Sequence, residues 1–383
     1  MGKKRKIVYC TPSIYIAGGV ERVLTTKANY LSRAGYDVTI VLTDGKDKKP
    51  FFALADDVKV INLDIGFEEL WGKPFLQKIL LYLKKQSVYK RKLRETLMEL
   101  RPDITISTLR REINFITSIP DGSKKIGEMH INRQNYRNFE ANETNAVKQL
   151  FGKIWMMQLI KKLKKLDRMV VLTKEDAATW REIDKLTVIP NPLPDRGETR
   201  LSRLEQKRVI AVGRYAYQKG FDLLLTAWKK VEEQCPDWDL CIFGAGERAP
   251  YADIAKELGL KRCHLNGSSE DILREYSDSS IFVCSSRFEG FGMVILEAMS
   301  CGLPAISFNC PMGPESLIDN GKNGLLIRNG DTDALAEAMV ELINDPEKRK
   351  TMAKGAVEKS QLYDVKNIGK RWEELFEELG VRS

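Results

Sequence analysis

Two carboxylates frame a glycine-rich turn in RFEGFGMVILEAMSCGLP, residues 287–304. Glu289 precedes Gly290, Phe291 and Gly292, and Glu297 follows with seven residues between, inside an apolar run of helical character. The preceding IFVCSS reads as a buried strand that carries the chain to the carboxyl edge of a sheet, where open α/β sheets bind ligands. Gly290 and Gly292 allow the backbone to approach a ligand closely. With a helix starting near Met293, the amides of Gly292, Met293 and Val294 lack intrahelical partners and point outward, which attracts phosphate. A carboxylate does not bind phosphate; it accepts hydrogen bonds from hydroxyls. The combination fits a ligand in which a diphosphate joins two sugars, with one acid for each sugar.

A second group, VGRYAYQKGFDLLL at 212–225, places Arg214 at a strand end and Lys219 before Gly220 at a helix start. Both cations can converge on a diphosphate, the guanidinium as a bidentate fork and the ammonium as a compact charge. They would neutralise the charge that develops as a nucleoside diphosphate departs. Taken singly, a loop Arg, a loop Lys, a loop acid and a helix acid are ordinary surface residues. Their joint placement at strand ends is what points to a site.

Such placement needs a scaffold that ends several strands at one edge. KIVYC (6–10) reads as a buried strand, and Val20, Val23, Leu24, Ala28 and Leu31 recur at helical spacing until Gly35. DVTIVLTD follows as a strand, and VKVINLD, DITIST, KKIGEMH, RMVVLT and LTVIP continue the series. Strand–helix–strand order with continuously apolar strands predicts a parallel sheet covered on both faces. Residues 191–207, with two prolines, a glycine and no sustained period, read as a linker. The pattern then restarts with RVIAVGR, GFDLLLTAWKKVEEQ, DLCIFGAG, APYADIAKELG, CHLNG, EDILREYSDS, IFVCSS, PAISF and TDALAEAMVELINDP. The fold class expected is α/β, with two doubly wound domains at 1–190 and 208–362. Within 363–383, Ile368, Trp372, Leu375 and Phe376 mark a final amphipathic helix, which by itself would pack on its own domain.

At 383 residues, 43% hydrophobic and 30% charged, the chain is globular and long enough for two or three domains. No apolar run approaches the roughly 18 residues that span a bilayer, and the run after MGKKRK is too short for a signal peptide. Seven scattered cysteines without a C-x-x-C suggest neither a disulfide framework nor a zinc site, and a reducing cytoplasm is the expected compartment. Charge is uneven: residues 1–190 hold 36 Lys and Arg against 22 Asp and Glu, and residues 191–383 hold 26 against 31. The first half therefore faces something anionic. LKKQSVYKRKLR (83–94) and VKQLFGKIWMMQLIKKLKKLDR (147–168), the latter with Lys153, Lys161, Lys162, Lys164, Lys165 and Arg168, suit peripheral contact with an anionic membrane. The alternative is an ordinary helix with a solvated basic face. Nucleic acid is not expected, because aromatic residues do not interleave with the basic ones.

With these motifs in hand, the chain resembles the retaining glycosyltransferases of family 4, which have the GT-B fold. The resemblance rests on GR-x4-KG at Arg214 and Lys219, on E-GFG-x4-E at Glu289 and Glu297, and on GGVER at Gly18 and Gly19, and it spans nearly the whole chain. It implies a sugar nucleotide between two Rossmann-like domains and a last helix that crosses back to the N-terminal domain. It implies that Arg214 and Lys219 hold the diphosphate, that Glu297 takes the ribose hydroxyls, that Glu289 contacts the donor sugar near the reacting carbon, and that Gly18 and Gly19 close over the diphosphate. It also implies that His130, in IGEMHINRQN, faces the donor sugar, although an isolated His is more often structural. His264 is read as structural.

Three other patterns carry less. GAGERA (244–249) fits a dinucleotide fingerprint but does not open its domain and lacks the acid that should follow, so it reads as a strand–helix turn. Asp237-Trp-Asp239 and Asp331-Thr-Asp333 resemble a metal-binding D-x-D, but the first precedes a strand and the second suits a helix cap. No metal and no cofactor are expected. The reading is a metal-independent retaining transferase that moves a hexose or N-acetylhexosamine from a nucleotide sugar to a saccharide acceptor. CPMGPESLI (310–318) resembles the segment of members that use UDP-sugars in bacterial surface glycans, and suggests a polyprenyl-diphosphate-linked acceptor. A GDP-mannose-dependent transferase, a sugar-nucleotide epimerase and a non-catalytic anion-binding protein are the alternatives.

Overall fold

The computed structural model describes residues 4–16, 18–133, 146–195, 197 and 200–381. Residues 1–194 and 365–383 form one compact unit, and 195–364 a second.

The first unit runs β1 (Lys6–Thr11), α1 (Gly19–Arg33), β2 (Asp37–Leu42), β3 (Lys59–Asn62), α2 (Phe75–Leu100), β4 (Ile104–Ser107), β5 (Lys124–Glu128), α3 (Ala146–Leu163), β6 (Arg168–Val171), α4 (Lys174–Thr179) and β7 (Leu186–Val188). Its seven strands are all parallel, in the order β3-β2-β1-β4-β5-β6-β7. β1 and β2 are buried beyond their first residues and β4 throughout, because helices cover both faces, which is why β1 and β2 read as largely apolar runs.

The second unit runs β8 (Arg208–Val212), α5 (Phe221–Gln234), β9 (Asp239–Phe243), α6 (Ala249–Glu257), β10 (Cys263–Asn266), α7 (Ile272–Ser277), β11 (Ile281–Cys284), α8 (Met293–Ser300), β12 (Ala305–Asn309), α9 (Pro314–Leu317), β13 (Gly324–Arg328), α10 (Thr332–Asn344) and α11 (Pro346–Gln361). Its parallel sheet has the order β10-β9-β8-β11-β12-β13. The chain winds one way from β8 to β10 and the other way from β11 to β13. The switch point, where such sheets open a crevice, lies between β8 and β11.

The last helix, α12 (Val365–Glu378), returns to the first unit and packs on α1. Tyr30 donates to Glu373 at 2.6 Å, Tyr36 meets Phe376 edge-on at 5.8 Å, and Arg371 donates to the Val188 carbonyl at 2.6 Å. Gly369 lets the two helices close up, since a Cβ there would sit 2.2 Å from the Tyr30 ring.

Several elements depart from the sequence reading. The stretch 191–207 is anchored rather than free. Asn191 and Leu193 are buried, the Ser202 amide donates to Cys301 at 2.8 Å, and Arg349 donates to the carbonyl of buried Leu204 at 3.3 Å. Its polar spacing hid these anchors. The helix expected over 147–168 stops at Leu163, and its lysines do not form one continuous face. Lys162 donates to Asn114 at 2.7 Å, and Arg168 opens β6 and pairs with Glu378 at 3.2 Å. The strand β13 and the helices α2 and α11 were not anticipated. β13 is short and half exposed, and α11 is mostly polar with Gly355 in its middle.

Candidate functional site

The loops after β8 and β11, neighbours at the switch point, are stitched together. Ser285 Oγ donates to the Lys219 carbonyl at 2.9 Å, the Arg287 amide to the Gln218 carbonyl at 2.8 Å, and Gln218 Nε2 to the Phe288 carbonyl at 3.0 Å. The Arg287 guanidinium grips both oxygens of Asp222, at 2.9 and 2.5 Å, and lies 4.0 Å from the centre of the Tyr217 ring. Asp222, Ser285, Ser286 and Arg287 were not singled out in the sequence. A bidentate pair across two loops leaves no local signature.

Inside this frame Lys219 Nζ meets Glu289 Oε1 at 2.7 Å, and Ser286 Oγ donates to the same oxygen at 2.7 Å. Both side chains are nearly out of solvent, at 14% and 8% exposure. Burial pulls the lysine's pKa down, but Glu289 outweighs it and holds the ammonium above its ordinary value. Arg214 is exposed and opposes with its like charge, so it lies within electrostatic reach of Lys219. Among the described residues the Arg214 side chain makes no hydrogen bond or ion pair. The stem of Lys219 runs over Gly213, where a Cβ would be 3.0 Å away.

Gly292, at φ 89, turns the chain into α8. The amides of Gly292, Met293 and Val294 find no acceptor among the described residues, whereas Ile295 already donates to Gly292 at 2.9 Å. Glu297 lies in α8 and is buried, so it is not a surface helix residue. The CPMGP segment folds onto this turn. Met312 is in the left-handed region at φ 63, and a Cβ on Gly313 would sit 2.8 Å from the Phe291 carbonyl and 3.3 Å from Glu289. Left-handed backbone at a non-glycine is strain of the kind kept at functional sites.

Gly220 is the joint between the two loops. At φ 61 it caps α5, and a Cβ would meet the Ser285 carbonyl at 2.1 Å. Gly220→Ala is expected to cost about 2–4 kcal/mol in chemical denaturation, because neither backbone can yield without parting the two loops.

In the first unit, Gly18 and Gly19 form the start of α1 rather than a free loop: Gly18 is its N-cap and Arg22 donates to Gly18 at 3.0 Å. His130 follows β5, its side chain 4% exposed. Nε2 stands 3.5 Å from Glu128 Oε1, and among the described residues both ring nitrogens and Glu128 Oε2 have no hydrogen-bond partner. Glu128 is in contact with Lys27 of α1, itself buried, whose ammonium lies 4.4 Å from the centre of the Trp372 ring and 5.5 Å from that of Tyr9. Burial would raise the Glu128 carboxyl, but Lys27 and then His130 bring it down to about 2. Burial lowers Lys27 against the pull of Glu128. Contact with a carboxylate and two ring faces keeps it an ammonium. Lys27 and Glu128 were missed, although a lysine on the buried stripe of Val23, Leu24, Ala28 and Leu31 was a signal.

Other readings resolve into structure. His264 sits 2.9 Å from Asp239, which also takes Arg262 at 3.0 Å; Asp237 pairs with Lys207; and Asp331 caps α10 by accepting from Ala334 at 3.1 Å. GAGERA is a turn whose Gly244 lies against the Gly213 carbonyl, where a Cβ would be 1.7 Å away.

Two Rossmann-type parallel sheets, the second with a cation–carboxylate pair and an open helix start at its switch point, define the GT-B class. Residues 17–195 match the model of Glycosyltransferase Family 4 and residues 198–359 that of Glycosyl transferases group 1, and the chain belongs to this glycosyltransferase family. It is 29% identical over 376 residues to an uncharacterized glycosyltransferase of Haemophilus influenzae, covering 96% of this chain and 99% of that one. It is 26% identical to the GalNAc-alpha-(1->4)-GalNAc-alpha-(1->3)-diNAcBac-PP-undecaprenol alpha-1,4-N-acetyl-D-galactosaminyltransferase of Campylobacter jejuni, covering 95% of this chain and 96% of that one. The fold is similar to that of a point variant of S. aureus TarM in complex with fondaparinux, alpha-GlcNAc-glycerol and UDP, with TM-score 0.79, 16% identity and coverage of 97% and 99%.

Proposed function

We propose that the chain is a retaining transferase that takes a hexose or N-acetylhexosamine from a UDP-sugar, without a metal ion, and passes it to a glycan hydroxyl on a polyprenyl-diphosphate carrier in the making of a surface glycan. The observation that carries this is the buried Lys219–Glu289 pair beside the open amides of α8. In this reading Arg214, Lys219 and the amides of Gly292, Met293 and Val294 take the charge of the leaving diphosphate, which is the work a metal ion does in other designs. Glu297 takes the ribose hydroxyls, and Glu289 and His130 serve the donor sugar. Gly18 and Gly19 serve the diphosphate. The acceptor oxygen forms its bond to the anomeric carbon on the face from which the diphosphate leaves. The bond from that carbon to the diphosphate oxygen breaks, and the acceptor proton passes to the departing oxygen.

The UDP in the TarM complex supports the choice of nucleotide, and the undecaprenol-linked glycan in the name of the Campylobacter relative supports the acceptor. Peripheral contact with an anionic membrane through 83–94 and 147–168 belongs to the same proposal. Within 83–94, Lys85 and Lys92 already hold the carbonyls of Ile65 and Leu63, at 2.6 Å each, which leaves Lys84, Lys90, Arg91 and Arg94 for that role. The test is a panel of UDP-sugars and GDP-mannose with a polyprenyl-diphosphate-linked saccharide in EDTA, with the product's anomeric configuration read by NMR. Transfer from one UDP-sugar with retention supports the reading. Inversion, a need for a divalent ion, or turnover of GDP-mannose alone overturns the corresponding part.

A further inference from the structure

Helix α2 is anchored at one end and projects at the other. Tyr89, Leu93 and Leu97 are buried against Phe67, Phe115 and Ile116. Toward its start the helix leaves that core. Trp71, Leu76, Leu80 and Leu83 are 73, 76, 70 and 59% exposed. Such large side chains rarely face water together without a partner. Leu76, Ile79, Leu80 and Leu83 follow the spacing of three and four that puts residues on one side of a helix, and the same side continues through the exposed Ser87, Lys90, Arg91 and Arg94. From Leu76 to Arg94 this face is about 27 Å long. Over 71–94 the chain carries eight Lys and Arg and no acid. Among the described residues no helix is long and apolar enough to cross a membrane.

We infer that residues 71–83 insert into the interface of an anionic bilayer, while the basic half of the same face lies along the lipid headgroups. An apolar end followed by a basic stripe on one exposed side is the pattern of a helix that lies in a membrane surface. The charge selects this occupant: a second copy of the chain would bring two basic faces together. The inference deepens the proposed membrane contact and changes its nature. Apolar side chains at 71–83, absent from the sequence reading, enter the bilayer, and the lysines and arginines further along hold the helix to the anionic headgroups.

The experiment is co-sedimentation of the full chain with vesicles of phosphatidylcholine, alone or mixed with phosphatidylglycerol. It needs no sugar nucleotide, so its failure is separate from that of the transferase reading. The wild type is expected to partition onto the anionic vesicles. Leu76→Ser with Leu80→Ser and Leu83→Ser should lower partitioning at least about tenfold at unchanged melting temperature, since these side chains are exposed. Lys84→Gln with Lys90→Gln and Arg94→Gln should lower it by about a hundredfold, and added salt should do the same to the wild type. Brominated lipid should quench a part of the tryptophan emission that Trp71→Phe removes. Absence of binding, or binding indifferent to the serine changes, overturns the inference. So does a concentration-dependent oligomer that the serine changes break, which would give the face to a second copy.

Discussion

Lys219→Met is expected to lower kcat/KM by about 10³-fold or more. The ammonium is one of few fixed positive charges at the switch point of the second sheet, and a single preorganised donor to a developing anion is worth about 10²–10³ in rate. The same change strands a carboxylate. Glu289 is nearly out of solvent and would lose its cation, keeping Ser286. Breaking one side of such a pair costs about 3–5 kcal/mol. Activity and stability therefore fall together, and a loss of activity alone would say nothing about chemistry. Lys219→Met with Glu289→Gln separates them. Its denaturation midpoint should return most of the way to wild type, because both charges are gone and the amide can still bond Ser286, while kcat/KM stays down. A double variant active within about tenfold of wild type would reduce the pair to a structural role.

The second large effect is on stability. Lys27→Met leaves Glu128 charged, buried and without its cation, and is expected to cost about 3–5 kcal/mol. It also removes the ammonium from the Trp372 ring, so α12 should be held less firmly. Limited proteolysis should then cut within 365–378 before the rest of the chain. Lys27→Met with Glu128→Gln should recover most of the loss. The acid limb gives an independent check. Glu128 is held at about 2 against an ordinary 4.5, a depressed carboxyl, so its contribution is complete above pH 4.5 and is lost as pH falls toward about 2. Wild type should lose more stability across that window than the double variant. Equal acid sensitivity would show that the pair contributes nothing.

Why part of this was legible in the sequence and part was not follows from the range of the interactions. Parallel strands buried on both faces read as apolar runs, so β1, β2, β8 and β11 stood out. The helix start at Met293 is local, set by Gly292, and was legible too. The pairing of Lys219 with Glu289 joins residues 70 positions apart. The motifs placed both at strand ends, but only the adjacency of β8 and β11 brings them together. Arg287 and Asp222 stayed hidden for the same reason. Lys27 carries no local signal of its partner, because Glu128 lies 101 positions away and meets it only once α1 packs on the sheet. The exposed end of α2 was missed because its leucines look like core residues in a sequence, and only burial separates Leu93 from Leu80.

The central claim is that the switch point of the second sheet binds a uridine diphosphate group through Lys219 and the start of α8. Its most direct test is the melting temperature of the full chain in EDTA with UDP, GDP or ADP. With UDP at about a hundred times its dissociation constant, the gain of about 2.7 kcal/mol should raise the midpoint by a few degrees. GDP and ADP should have little effect, and the Lys219→Met, Glu289→Gln double variant should show no rise with UDP. A midpoint unmoved by UDP, or moved equally in the double variant, would contradict the claim.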